Sequence, residues 1–124
     1  MASGSLAYQR MRLALLDLVR QVPEGLVIEI STLAVALNIP PRHAAFICST
    51  LSAEELELLP WYRVVPTGGR FSTTAMKRVA TAEQIRRLRR EGYKFASTEQ
   101  LLLTDEIRWD PPDTHRETFW ADDT

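Results

Sequence analysis

The sequence predicts a mainly α-helical domain with a winged-helix-like core, in which a helix-turn-helix precedes a small β-hairpin wing. Apolar residues recur at helical spacing over residues 8–21, which predicts a first amphipathic helix. Two short helical stretches then flank the tight turn Asn38-Ile39-Pro40. Further along, the turn Thr67-Gly68-Gly69 separates two stretches that can extend and pair, residues 61–65 and 70–72.

Caps and breakers place the helix boundaries. Pro23-Glu24-Gly25 ends the first helix, and Ser31 is suited to cap a second helix over residues 32–38. Pro41 suits the first position of a third helix that runs to about Leu51. The acidic residues 52–59 can add a helical turn.

The last helix is expected to start at a capping box, Thr81-Ala82-Glu83-Gln84. It continues through Leu88 and ends before Gly92, after which Leu101-Leu102-Leu103 can pack as a final segment. Together these elements make one domain, which we expect to span residues 1–103.

Composition limits the class of protein. A chain of 124 residues is one domain by size, and no apolar run approaches the roughly 18 residues of a membrane span. The N-terminus shows no secretory signal, and the single cysteine, Cys48, excludes an internal disulfide. We therefore expect a cytoplasmic protein with no membrane partner.

Charge is distributed unevenly along the chain. Residues 1–103 contain 13 basic and 9 acidic side chains, whereas residues 104–124 contain 2 and 7. All the cations except Lys77 and Lys94 are arginines, whose fork of donors suits phosphate, although a genome that favours arginine codons explains this equally well. The predicted result is a basic domain followed by an acidic tail, 104–124, that is disordered.

Four segments, in order over residues 8–95, resemble the C-terminal domain of the O6-alkylguanine-DNA alkyltransferases. They are Val22-Pro23-Glu24-Gly25-Leu26-Val27, Ser31-Thr32-Leu33-Ala34, Pro60-Trp61-Tyr62-Arg63-Val64-Val65 and Arg90-Glu91-Gly92. The third resembles that family's Pro-Cys-His-Arg-Val motif, with Trp61 in place of the nucleophilic cysteine. Tryptophan at this position is the mark of the alkyltransferase-like branch. The resemblance thus implies binding of alkylated guanine without repair, and transfer of the lesion to nucleotide excision repair.

The chemistry of the residues agrees with a protein that is not an enzyme. Alkyl transfer from guanine O6 needs a soft nucleophile such as a thiolate, which an indole does not provide. Cys48 shares the apolar pattern of its neighbours and is expected to lie in the core. His43 and His115 have no metal-binding spacing with Cys48, so we expect no metal and no cofactor.

The resemblance also assigns a base pocket. Trp61 would form its wall, although an aromatic residue beside a proline is otherwise usually a core residue. Tyr62 stands where the family has histidine. Glu91 matches the glutamate that orients this histidine, and it is placed to accept a hydrogen bond from the Tyr62 hydroxyl. The alternative for Glu91 is a surface residue before a helix C-terminus.

DNA contacts are expected from the helix-turn-helix. Arg42 matches the family's finger arginine, which enters the minor groove and fills the space left by a flipped nucleotide; the alternative is a solvated arginine at a helix start. Ser31 and Thr32 are expected to contact DNA, and Arg63 is either DNA-facing or structural.

Two departures from the family pattern concern base flipping. Ile30 replaces the tyrosine that rotates the nucleotide, and the bulky Phe46 replaces a glycine. The predicted function is that of a monomeric DNA-binding protein that recognises O6-alkylguanine in double-stranded DNA and flags it for nucleotide excision repair proteins. The alternatives are a winged-helix DNA-binding module that does not flip bases, and a protein-interaction domain whose DNA binding has decayed.

Overall fold

The computed structural model describes residues 6–72 and 78–112, and this part of the chain is mainly helical, as predicted. Its helices are α1 (Leu6–Gln21), α2 (Ile30–Leu37), α3 (Pro41–Ser49), α4 (Ala53–Leu58) and α5 (Arg78–Arg90). Two short strands, β1 (Ile28–Glu29) and β2 (Val64–Val65), form a small sheet, and 3-10 helices span Trp61–Arg63 and Thr67–Gly69. No helix in the described ranges is long and apolar enough to cross a membrane.

A left-handed residue makes the tight turn between α2 and α3. Asn38 has φ 58°, and the amides of Asn38 and Ile39 donate to the carbonyls of Val35 and Ala34. This is the hydrogen-bond pattern that satisfies the last carbonyls of a helix and lets the chain reverse. Pro41 is the first residue of α3, as predicted.

The predicted caps of α2 and α5 are wrong. The helix α2 begins at Ile30 with Glu29 as its N-cap, and the Ser31 amide donates to the Thr67 hydroxyl at 3.1 Å. The chain is already helical at Arg78, so Thr81 lies inside α5 rather than before it. At α2 the backbone is held by Thr67, a residue far along the chain, which a local capping pattern cannot indicate.

Two apolar clusters form the core. The larger one joins α1, α2 and α3, and it includes the fully buried Met11, Leu15, Leu33 and Ile47. Burial of such a side chain stabilises the fold by about 1.5–3 kcal/mol. The smaller cluster lies around α5; its buried members are Val27, Val65, Phe71, Leu88, Tyr93 and Leu101.

The small sheet pairs differently from the predicted hairpin wing. β1 and β2 are parallel, with Ile28 opposite Val64 and Glu29 opposite Val65. Both valines of β2 are buried, which a solvent-facing wing would not allow. Arg70 forms its bridge with Gln100 instead of returning to residues 61–65.

The folded domain extends past the predicted boundary at residue 103. The Val27 amide donates to the Ile107 carbonyl at 2.7 Å, and the Trp109 amide donates to the Val27 carbonyl at 2.7 Å. Trp109 packs against the larger cluster, which anchors this segment by apolar burial. The start of the acidic tail at residue 104 is thus placed too early, and residues 113–124 lie outside the described part.

Candidate nucleic-acid interface

The Trp61-Tyr62-Arg63 segment forms a compact turn at the start of β2. The Arg63 amide donates to the Pro60 carbonyl at 3.0 Å, which closes a 3-10 turn where an extended strand was predicted. The following valines, Val64 and Val65, pair with β1, and β1 in turn leads directly into α2. The motif residues therefore have a fixed position relative to the first helix of the helix-turn-helix.

Glu91, just beyond the end of α5, holds this turn. The Tyr62 hydroxyl donates to Glu91 Oε2 at 2.6 Å, the hydrogen bond expected from the sequence. The Arg63 guanidinium donates to both Glu91 oxygens at 3.0–3.2 Å, and its Nη1 donates to the Val22 carbonyl at 3.0 Å. We call these three side chains, Tyr62, Arg63 and Glu91, the clamp.

The electrostatics of the clamp fix its protonation states. Burial opposes ionisation of Glu91, but hydrogen bonds from Arg63 and Tyr62 outweigh it and lower the pKa of Glu91 below its ordinary value. Burial and the bond to Glu91 raise the pKa of Tyr62. At neutral pH the clamp thus contains a carboxylate, a neutral phenol and a guanidinium.

Arg63 faces into the domain. Its side chain is only 12% exposed, and its donors are engaged by Glu91 and the Val22 carbonyl. A guanidinium with these partners cannot reach a phosphate without giving up its ion pair with the partly buried Glu91 carboxylate. These contacts favour the structural one of the two roles that the sequence left open for Arg63.

Trp61 lies beside the clamp, at one edge of Tyr62. The two rings are T-shaped, with centroids 6.0 Å apart. The guanidinium of Arg87 lies 5.7 Å from each ring centroid, and Glu83 accepts from its Nε at 2.7 Å. The indole Nε1 of Trp61 is buried without a hydrogen-bond partner among the described residues.

Two α5 residues at this site were missed by the sequence analysis, Arg87 and Gln84. The Gln84 amide donates to the carbonyls of Tyr62 and Val64 at 3.1 and 2.7 Å, which ties α5 to the motif turn. Gln84, Leu88 and Glu91 follow one another at spacings of four and three residues, the spacing of one helix face. Once Glu91 is expected to contact Tyr62, this spacing predicts that Gln84 lies on the same face of α5 and also faces the motif turn.

The helix α3 presents the predicted DNA-contacting arginine to solvent. Arg42 is exposed at the second position of α3, and no hydrogen bond or ion pair joins it to another described residue. Ser31 and Thr32 are half-buried in the first turn of α2. The sequence of α3 contains no acidic residue, so an approaching phosphate meets no opposing charge there.

Comparison with known proteins identifies the domain. The family model of the 6-O-methylguanine DNA methyltransferase, DNA binding domain, matches residues 10–93, more than half of the chain. The chain belongs to this family. A comparison with curated proteins gives no match.

Solved structures of the same fold come from S. pombe. One is Atl1 in complex with damaged DNA containing O6-carboxymethylguanine, and another is ATL in complex with DNA. Each is 24% identical to this chain with a TM-score of 0.69, and each match covers 83% of this chain and 97% of the other. The likeness confirms the predicted winged-helix-like fold of this methyltransferase-family domain.

Methyl transfer requires a nucleophile, and the thiol of this family member is poorly suited to that role. Cys48 is half-buried in α3 and packs against the larger cluster. Burial raises the pKa of the Cys48 thiol to about 12. The thiolate, which is the reactive form, is therefore scarce at neutral pH.

Ile30, which stands where the resemblance expects a tyrosine, is a packing residue. It is the first residue of α2 and is partly buried against the larger cluster. An isoleucine in this place anchors the start of the helix by apolar contact, and it has no hydroxyl to offer a phosphate.

Proposed function

We propose that this protein binds O6-alkylguanine in double-stranded DNA without accepting the alkyl group, and that it flags the lesion for nucleotide excision repair. The observation that carries the proposal is the motif turn. By its resemblance to Pro-Cys-His-Arg-Val, this segment would put Trp61 where that motif has its nucleophilic cysteine, and the clamp bonds hold the neighbouring Tyr62 and Arg63.

The absence of alkyl transfer follows from the available nucleophiles. An indole ring does not displace an alkyl group from guanine O6 at neutral pH, and the pKa of Cys48 is too high to supply a thiolate. The Glu91 carboxylate accepts hydrogen bonds from both Tyr62 and Arg63, so it is not free to act as a general base that activates an acceptor.

The proposed interface combines the helix-turn-helix with the motif turn. Arg42 is exposed on a helix without acidic residues, which supports its insertion into the duplex. Trp61 would form the wall of the pocket for the extruded base, and stacking of a base on an aromatic ring is worth about 1–3 kcal/mol. Binding of DNA containing O6-carboxymethylguanine by Atl1, which shares the fold, supports this lesion class.

Intact-mass measurement tests the non-enzymatic part of the proposal. After incubation with excess duplex containing O6-methylguanine, the protein should keep its original mass, because no thiolate is available to accept the methyl group. A Cys48→Ser variant treated in the same way controls for slow modification of the thiol. A stoichiometric gain of one methyl group by the wild-type protein would contradict the proposal.

Two substitutions test the binding part. Arg42→Ala and Trp61→Ala should weaken binding to lesion duplex more than binding to plain duplex, by on the order of 1–3 kcal/mol, because each removes a contact made only with an extruded base. Arg20→Ala, at an exposed arginine near the end of α1, is the control for loss of charge alone. Equal losses for both duplexes would exclude the extruded-base contact.

A second candidate is a DNA-binding module that does not flip bases. Ile30 favours it, because this partly buried side chain cannot press on a phosphate as a tyrosine hydroxyl could. This candidate predicts equal affinity for lesion and plain duplex. It also predicts that Arg42→Ala lowers both affinities equally and reduces the slope of affinity against salt by about one unit.

Recruitment of repair is tested separately from binding. In an extract competent for nucleotide excision repair, added wild-type protein should increase incision of a lesion duplex, whereas Arg42→Ala should not. Decreased incision by the wild-type protein would mean that it shields the lesion instead of flagging it.

A further inference from the structure

Phe46 is an aromatic side chain that the fold leaves outside its core. It lies in α3, and 57% of its surface is exposed. Single exposed apolar residues are ordinary in proteins, so exposure alone has no meaning. What distinguishes Phe46 is its place, one helical turn after Arg42 on the second helix of the helix-turn-helix.

The outward face of α3 contains two protruding side chains among small ones. Ala44 and Ile47 are buried and define the inward face, while Arg42, Ala45, Phe46 and Ser49 are exposed. The Ser49 hydroxyl is turned back to the Phe46 carbonyl at 2.7 Å. Because its exposed neighbours are short, the Phe46 ring stands clear of the helix beside the arginine.

We propose that Phe46 is an apolar wedge that packs against the bases of the bound duplex, next to Arg42; this inference rests on the proposed DNA binding. The face has one free cation, one aromatic ring and, along Pro41–Ser49, no acidic residue. Duplex DNA, a polyanion whose stacked bases offer apolar faces where a base step opens, complements all three features. Apolar side chains that enter between base steps unstack them and kink the duplex.

Helix geometry places the wedge relative to the arginine. Four residues of α-helix rise about 6 Å, and neighbouring bases in duplex DNA are about 3.4 Å apart along the axis. If α3 follows the groove, the ring of Phe46 meets the duplex about two base steps from the position of Arg42. Contacts by the two side chains are therefore distinct and separable by mutation.

Salt dependence distinguishes the wedge from a charged contact. Phe46→Ala should lower the affinity for both lesion and plain duplex on the order of tenfold, because stacking on a base is lost. It should leave the slope of affinity against salt unchanged, since no phosphate contact is removed. Loss of a phosphate contact would instead reduce that slope by about one unit.

Matched variants control for aromatic character and for exposure. Phe46→Tyr should keep most of the affinity because the ring remains, and Leu58→Ala, at a more exposed apolar residue on α4, should have no effect. Circular dichroism and thermal unfolding should show that Phe46→Ala folds normally, because an exposed helical site favours alanine. A duplex with 2-aminopurine two steps from the lesion should brighten with wild-type protein and not with Phe46→Ala.

Two results would overturn the inference, and they are distinguishable. If the wild-type protein binds DNA and Phe46→Ala binds equally or more tightly, Phe46 is at most an obstruction and the proposed function stands. If the wild-type protein binds neither duplex at any salt concentration, the inference fails together with the proposed function.

Discussion

Removal of the Glu91 carboxylate should destabilise the domain more than removal of the Glu83 carboxylate on α5. In Glu91→Ala, Arg63 keeps the Val22 carbonyl as its one acceptor among the described residues, and the Tyr62 hydroxyl loses its acceptor. Breaking a fully buried ion pair from one side costs about 3–5 kcal/mol. The Arg63 and Glu91 side chains remain 12% and 20% exposed, so solvent compensates in part and we expect a loss of about 2–3 kcal/mol.

Urea denaturation of the wild-type and variant proteins measures this loss as a change in the free energy of unfolding. The matched control is Glu83→Ala, which removes the same residue type from α5 where it pairs with exposed arginines. It should change stability little, because exposed pairs are screened by solvent. Glu91→Gln should fall between, since it removes the charge but keeps an acceptor.

A loss of stability in Glu91→Ala no larger than that in Glu83→Ala would contradict this role of the Glu91 carboxylate. A double-mutant cycle with Tyr62→Phe provides a further check. Because the two groups share one hydrogen bond, their losses should not add, and strict additivity would mean that the bond contributes nothing.

Three further predictions concern acid stability, the thiol and a tight turn. Hydrogen bonds from Arg12 lower the pKa of Glu55 from 4.5 to about 2, so this pair stabilises the fold above pH 4.5 and its contribution is lost as pH falls toward 2. Arg12→Gln should flatten that loss in urea titrations, and an unchanged acid profile would exclude the pair as its cause. Iodoacetamide should label Cys48 slowly at pH 8 until urea unfolds the protein; rapid labelling of native protein would contradict the raised pKa. Gly69→Ala should destabilise the protein more than Gly68→Ala in thermal melts: both have positive φ, but only at Gly69 would a Cβ lie 2.9 Å from a carbonyl oxygen. Equal losses would exclude this clash.

Local signals in the sequence predicted the turns of the fold. Asn38 and Gly92 both adopt positive φ, and the Tyr93 and Gly92 amides donate to the Leu88 and Arg89 carbonyls to close α5. Such turns depend on residues within one helical turn, so the sequence is sufficient. Ser31 was misplaced as a cap because the start of α2 is held across the chain by Thr67.

The candidate site was predictable only in part. The hydrogen bond between Tyr62 and Glu91 was expected from the resemblance to the alkyltransferases, because periodicity alone does not bring residues 29 positions apart together. Neither Gln84 nor Arg87 was expected, since their roles depend on the register with which α5 packs on the motif turn. The parallel pairing of β2 with β1 was missed for the same reason.

Lesion selectivity is the central claim, and one titration tests it most directly. Wild-type protein is titrated with matched duplexes, with and without one O6-methylguanine, at two salt concentrations. We expect tighter binding to the lesion duplex at both salt concentrations, with a preference that salt hardly changes, because stacking on the extruded base does not depend on counterion release. Equal affinity for the two duplexes, falling steeply with salt, would contradict it.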